Sequence, residues 1–313
     1  MDEADRGSGS SMEQDSTLFV ERGDILVRRT GVTHHGDQYD EHGFKILLSM
    51  QKDHFWYRGR HRFVLASLKH ELSRLDRPPE SLRAIDLGCG CGGWVDYLDR
   101  HSSLRWGELA LADSSARALE VASTVVGAKS PLFQVDLLDL GWENRWDVIF
   151  LLDVLEHIPD DVTVAKQISK CLAPGGLLFL TSPSLMRLWS YNDEVAGHQR
   201  RYSVRDLRRL AEQSGLRLVD ARYFMFLLSP LLVLYRLVRP DLGKMTSEDI
   251  RKLLERTHRV PSKPLNSLLF AMFAAETPLG LSWSFPWGAS VLGVFQKPPL
   301  DPVSAGMGLL PRA

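Results

Sequence analysis

The stretch AIDLGCGCGGWVDYL, Ala84 to Leu98, decides the fold. An apolar run passes directly into a glycine-rich turn and then into an amphipathic segment, the order strand, tight turn, helix. The glycines at 88, 90 and 93 fit the spacing G-x-G-x-x-G, which lets the backbone approach a nucleotide-like ligand because no side chain intervenes. Taken alone, the spacing says no more than that. Asp86 complicates it: inside the strand, two residues before the first glycine, a carboxylate would repel a pyrophosphate and suit a ligand carrying positive charge. A second reading stays open, in which Asp86 only bonds backbone amides of the turn.

Working outward, the chain from Leu82 to Ser182 alternates short apolar runs (RAIDLG, ELALAD, PLFQVDLL, WDVIFLLD, GGLLFLTS) with amphipathic ones (GGWVDYLDRH, SARALEVAST, DVTVAKQISKCL). Strands separated by helices predict a doubly wound α/β fold with a parallel sheet covered on both faces. In such sheets ligands sit beyond the carboxyl ends of the strands, so Asp86, Asp113, Asp136 and Asp153 should converge on one crevice. Asp113 ends the second strand where an NAD protein keeps its ribose-binding acid, so an NAD-dependent oxidoreductase is one enzyme reading. S-adenosylmethionine is the other: it has no phosphate and carries a sulfonium and an ammonium, which Asp86 favours. A third reading is a scaffold that binds the cofactor without turnover.

The segments DLGCGCGGW, ADSS, VDLLD, DVLEHIPDD and LAPGGLLFLTSP, in that order between about Arg60 and Ser182, resemble the class I S-adenosylmethionine-dependent methyltransferases, in the branch that includes ubiquinone-pathway O-methyltransferases. The resemblance implies a seven-stranded Rossmann-like sheet whose last, antiparallel strand inserts between the fifth and sixth, with RLVDARYF and ASVLGVFQK as the two late strands. It implies that Gly88, Cys89 and Gly90 contact the methionine part and that Asp113, with Ser114 beside it, holds the ribose hydroxyls. Asp136 would bond the adenine amino group, Leu137 would pack on the ring, and Leu152 and Asp153 would line the methionine end. Tyr57 and Arg60, in the helix before the first core strand, would close over the methionine carboxylate.

Methyl transfer from a sulfonium is an in-line displacement, so alignment in a desolvated site is the main requirement. A hydroxyl acceptor gains from a base, for which histidine is the default. His157, just past the fourth strand, and His198, in NDEVAGHQRRYS, are the candidates. For His157 a purely structural role in closing the loop stays open. Arg200, Arg201 and Tyr202 are candidate acceptor contacts, because two cations near a helix start oppose its dipole and invite an anionic partner.

The remaining sequence bounds the answer. With Lys+Arg 38 against Asp+Glu 39 there is no global pull toward nucleic acid, and the fourth strand is not followed by the Asn/Asp-Pro-Pro-aromatic pattern of amino-methylating DNA enzymes. The three cysteines Cys89, Cys91 and Cys171 point to a reducing, cytoplasmic setting, and no Cys/His cluster completes four metal ligands, so no metal is expected. Residues 1–17 read as a disordered acidic tail, 18–80 as N-terminal cap and helices, 81–225 with 286–298 as the cofactor-binding core, 226–285 as an apolar helical insert and 299–313 as a second tail. Within the first 80 residues, TLFVERGDILVRRTG suggests a hairpin around Arg22-Gly23-Asp24. The insert's two apolar segments, Phe224 to Val238 and Leu265 to Ala275, fall short of the about 20 residues a membrane span needs. Three readings compete for it: a cap over the substrate, a homodimer interface, or a peripheral membrane contact. All three favour a small apolar or lipid-like acceptor.

Overall fold

The run WDVIFLL shows no polar alternation, and in the computed structural model it forms a strand buried along all seven residues. The structure describes residues 13–32, 41–127, 129–237, 246 and 259–299. Its strands are β1 (Phe19–Arg22), β2 (Ile25–Arg28), β3 (Arg83–Leu87), β4 (Glu108–Asp113), β5 (Leu132–Gln134), β6 (Trp146–Leu152), β7 (Leu172–Pro183), β8 (Arg217–Phe224) and β9 (Ser290–Gln296). They pair in the order β1-β2-β5-β4-β3-β6-β7-β9-β8. From β5 to β7 all neighbours are parallel, and β9 runs antiparallel between β7 and β8.

The helices are α1 (13–18), α2 (Glu41–Asp53), α3 (Phe55–Leu72), α4 (Gly93–His101), α5 (Ala116–Val126), α6 (Asp161–Cys171), α7 (Tyr191–Val195), α8 (Val204–Ser214), α9 (Ser229–Leu237) and α10 (Lys263–Ser282). Period-two alternation sends the side chains of each central strand to two cores. On one face Ile85, Ile149 and Leu151 meet Val164 and Ile168 of α6 and Leu207 and Leu210 of α8. On the other, Ala84, Val148 and Phe150 meet Phe63 and Leu68 of α3, Trp94 of α4 and Phe273 of α10.

Two expectations need correction. The sheet has nine strands rather than seven, because the hairpin β1–β2, turning at Gly23-Asp24, docks β2 in parallel on β5. β5 is only three residues long, and the hairpin covers an edge that would otherwise present unpaired backbone groups. The tail is also not uniformly without structure. Residues 1–12 lie outside the described residues, but α1 brings Asp15 to the buried Arg145, 2.9 Å away, and to the indole Nε1 of Trp142 at 2.8 Å. A guanidinium buried beside Trp146 needs carboxylate partners, and Asp15 and Glu108 supply them.

The insert supplies α9 and α10, while most of 238–258 and all of 300–313 lie outside the described residues. The helix α10 packs on α3 at Gly59, where a Cβ would lie 2.1 Å from the Phe273 ring. Only glycine permits that approach. The polarity of α10 is inverted: its buried positions include Asn266, Glu276 and Thr277, while Leu265, Leu268, Leu279 and Trp283 face outward. Asn266 Oδ1 accepts from Phe55 N and its Nδ2 donates to Asp53 O, both at 2.8 Å, pinning the junction of α2 and α3. Glu276 accepts from Phe226 N and Leu227 N, each at 2.9 Å. Among the described residues no helix is long and apolar enough to cross a membrane.

Phe273 is fully buried and ties α10 to the core. Phe273→Ala is expected to destabilise the protein by about 3–5 kcal/mol. Chemical denaturation checks this, and a loss below about 1 kcal/mol would show that the insert is not integral to the core.

Candidate active site

The site forms where β3, β4, β5 and β6 end. After β3 the chain turns sharply at Gly88, with a φ of 71°, and the amides of Gly88 and Cys89 both donate to Ala112 O, at 2.8 and 3.0 Å. A Cβ at Gly88 would also lie 2.5 Å from Val154 Cγ2, so the turn requires glycine on two counts. One residue past the end of β4's parallel pairing with β3, Asp113 braces the loop from the neighbouring strand: its Oδ2 accepts from Gly90 N at 2.9 Å and its Oδ1 from Ser115 N at 3.0 Å. At the exit of β5, Asp136 Oδ1 accepts from Leu138 N at 2.9 Å.

Below these loops lies a cavity of about 280 Å³. All twelve residues expected around the cofactor line it: Tyr57 and Arg60 from α3, Asp86, Gly88, Cys89 and Gly90, then Asp113 with Ser114, Asp136 with Leu137, and Leu152 with Asp153. Leu47 and Gln51 of α2 line it too, and Gln51 leans on Gly93. Nothing in the glycine motif foretold them; their helix comes from 40 residues upstream and meets the loop only in three dimensions. No described residue of the insert lines this cavity, so the cap reading of α9 and α10 does not describe where those helices lie.

Acidic groups dominate its electrostatics. Asp86 is 3% exposed, and burial pushes its carboxyl up to about 8, with Arg60 opposing and Asp113 adding to the rise. Arg60 is the buried cation here. Its guanidinium lies about equally far from the Trp56 and Tyr57 rings, 5.1 and 5.0 Å, and it donates to Leu152 O at 3.3 Å and to Asp153. Asp153 adopts a left-handed φ of 58°, a conformation that non-glycine residues hold only when their surroundings impose it. Its Oδ2 also accepts from Thr181, while its buried Oδ1 has no hydrogen-bond partner in the structure. Burial also raises the Cys89 thiol well above its ordinary range, which removes it as a thiolate.

The cavity continues past Leu152 and Asp153 to His157, Ile158 and Pro159. His198 is not in the lining, but its ring stands nearly perpendicular to that of His157, centroids 4.7 Å apart. Behind it, Asp193 Oδ1 lies 2.9 Å from His198 Nδ1, and Arg201 binds both oxygens of Asp193 at 2.8 Å. Burial works against ionisation of Asp193, but hydrogen bonds from His198 and Arg201 hold its carboxyl well below the usual range. The sequence reading passed over Asp193 because its partners lie five and eight residues away in an irregular loop.

Arg200, Arg201 and Tyr202 are not brought to the cavity. Arg200 pairs with Asp161 at 2.8 Å, Tyr202 Oη donates to the same carboxylate at 2.8 Å, and Arg201 is the clamp on Asp193. The cations near the start of α8 are thus neutralised from within, and Ser203 with Asp206 caps the helix. That dissolves the electrostatic mismatch from which an acceptor role was expected.

A profile described as a methyltransferase domain matches residues 57–221, more than half of the chain and every strand-end residue above. The chain belongs to this family. It carries the methyltransferase domain of that family, whose cofactor is S-adenosylmethionine. Over 117 residues it is 33% identical to the ubiquinone biosynthesis O-methyltransferase of Mesorhizobium japonicum, a match covering 35% of this chain and 44% of that protein. It is 28% identical over 120 residues to the chloroplastic tocopherol O-methyltransferase of Arabidopsis thaliana, covering 37% and 33%. The chain therefore spans less than half the length of these curated relatives. Among solved structures, phosphoethanolamine N-methyltransferase 2 of Haemonchus contortus in complex with S-adenosyl-L-methionine aligns over 84% of this chain and 58% of that one, at a TM-score of 0.52 and 18% identity, a likeness of fold.

The residues fit a cationic cofactor. A buried carboxyl at Asp86 that resists ionisation and an unpartnered oxygen on Asp153 both gain from a sulfonium or an ammonium placed beside them.

A pH dependence follows from Asp86. A cation bound beside it favours the ionised form, so below pH 8 binding must release a proton, and affinity must rise with pH. Between about pH 5.5 and 7.5, S-adenosylmethionine affinity is expected to rise by up to tenfold per pH unit and Asp86→Asn to flatten the profile. Calorimetric titration in buffers of different ionisation enthalpy reads both the slope and the proton release; a flat wild-type profile would remove Asp86 from the binding equilibrium.

Proposed function

We propose that this methyltransferase acts on an oxygen of a small apolar or lipid-like acceptor, activated at His157. The observation that carries this reading is the position of His157 in the cavity wall, beside the apolar Ile158, with His198 edge to face against it and Asp193 on the far side of His198. When bound, S-adenosylmethionine supplies a methyl group on a sulfonium. The protein's part is to align and desolvate: Gly88 and Gly90 allow close backbone approach, Asp113 offers carboxylate oxygens to ribose hydroxyls, and Leu137 offers an apolar surface to the adenine. Arg60 and Tyr57 stand over the methionine end. A hydroxyl arriving at His157 finds an imidazole nitrogen able to take its proton, with the ring of His198 against it and Asp193 holding that second ring.

The mostly apolar wall, with Leu47, Val135, Leu138, Val154 and Ile158 among its members, supports an apolar acceptor. The two curated relatives are named as O-methyltransferases, which supports oxygen as the nucleophile. The outward leucines of α10 leave partner and membrane readings of the insert in play, and both are compatible with a lipid-like acceptor.

The test is a methyl-transfer assay with labelled cofactor on matched pairs of apolar hydroxyl and amine compounds. Turnover of the hydroxyl members alone is expected, and His157→Ala should lower kcat by about 100-fold while cofactor affinity stays within about twofold. Methylation of the amines only, or a fully active His157→Ala, would overturn the reading.

A further inference from the structure

The short turn after β6 and the loop after α7 bring together three side chains that methyl transfer itself does not require. One ligand atom from each of Glu156, His157 and His198 lies within 4.8 Å of the other two. Glu156 is fully buried; its Oε2 accepts from Ser182 Oγ at 3.1 Å, and its Oε1 has no hydrogen-bond partner in the structure. A buried carboxylate oxygen beside two imidazoles is costly unless a cation faces it.

His198 is prepared in the manner of a metal ligand. Its Nδ1 is occupied by Asp193 at 2.9 Å, which leaves Nε2 as the nitrogen for a cation. Asp193 is itself fixed by Arg201, at 2.8 Å to each oxygen, and by Ser190 N at 2.7 Å and Ser190 Oγ at 3.0 Å. A carboxylate on the far nitrogen of a ligating histidine sets its ring orientation and tautomer and raises its basicity. The two imidazoles meet edge to face, at 81°, so the rings are not stacked flat against each other.

We propose that Glu156, His157 and His198 form a three-ligand site for a divalent first-row transition metal, zinc by donor type, whose open position takes the acceptor's hydroxyl oxygen. Two imidazole nitrogens and one carboxylate select such an ion over magnesium or calcium, which prefer oxygen ligands. Bonds of about 2.0–2.2 Å require the ligand atoms to draw in modestly around the ion, and three protein ligands with an open fourth position are the arrangement of catalytic zinc. His157 is the ligand that lines the cavity, and an open position on that side would be reached from it. This deepens the hydroxyl reading and rests on it. With the ion bound, the histidines act as ligands and the ion acidifies the hydroxyl, whose proton leaves to solvent. The alkoxide or phenoxide oxygen then forms the new bond to the methyl carbon as the carbon–sulfur bond breaks, and the electron pair stays on sulfur, giving the thioether product without any change of oxidation state. The Cys/His spacing of the sequence does not reveal this site, because His198 lies 41 residues beyond the adjacent Glu156 and His157 and none of the three is a thiol.

The experiment uses the full chain, stripped with chelator and titrated with Co²⁺, read by visible absorption and calorimetry, then challenged with Zn²⁺. One equivalent of cobalt, with absorption of low-coordinate Co²⁺ that zinc abolishes, is expected. Glu156→Gln and His198→Ala should lose it, and Asp193→Asn should weaken it by about 10–100-fold; thermal melts verify that each variant is folded. The wild-type titration keeps the test decisive should a variant not fold, because absence of cobalt binding by the wild-type chain overturns the site outright. Cobalt binding that persists unchanged in folded Glu156→Gln and His198→Ala also overturns it. Full turnover of a hydroxyl acceptor by the stripped protein overturns the metal while leaving oxygen transfer at His157 standing. Cobalt binding lost in the variants, together with no turnover of any hydroxyl, upholds the site and removes the acceptor reading.

Discussion

Charge confinement around Arg60 is the constraint on which the site depends. Four strand-end carboxyl groups share one crevice, and the buried guanidinium of Arg60, 4% exposed, binds Asp153 and opposes the rise that burial imposes on the Asp86 carboxyl. The sheet cannot release this tension, because β6 is buried along its whole length and Asp153 follows it directly in a left-handed conformation. Nor can Arg60 leave, since Trp56 and Tyr57 flank it and α10 presses on α3 one residue away at Gly59. The core packing therefore holds a carboxyl that ionises more readily when a cation lies beside it.

Another buried cation organises the loop beside His157. Arg201 holds Asp193, Asp193 holds His198, and the imidazole of His198 meets that of His157 at the cavity wall. This line runs from the start of α8 to the edge of the cavity, so the orientation of the His157 and His198 rings is set by a helix terminus in the outer layer. Arg200, Tyr202 and Asp161 tie the same loop to α6, which explains why a segment with little regular structure stays well packed.

The convergence of the strand-end residues on one cavity was legible because its signals are local. A strand, a glycine turn and an acid at each strand end are fixed by neighbours in sequence, and Asp86, Asp113, Asp136 and Asp153 meet because parallel strands share a carboxyl edge. What escaped depends on distant partners. Asp15 in α1 is matched to Arg145, 130 residues away, and a charged tail looks the same whether or not such a partner exists. Arg200 and Arg201 read as ligand-seeking because a sequence does not show carboxylates folding back upon them. The hairpin was visible, but its attachment to β5 was not, since pairing between distant strands leaves no periodic mark.

The inverted polarity of α10 separates two properties that usually travel together. An ordinary surface helix is held down by its apolar stripe, so altering that stripe alters the fold. Here the anchoring side includes Asn266, Glu276 and Phe273, and the outward Leu265, Leu268, Leu279 and Trp283 contribute little to holding the helix in place. Sequence drift on that outer side is consequently almost neutral for folding. Its character is free to follow whatever environment the protein inhabits, and an oily exterior kept under those conditions reflects the surroundings rather than the architecture.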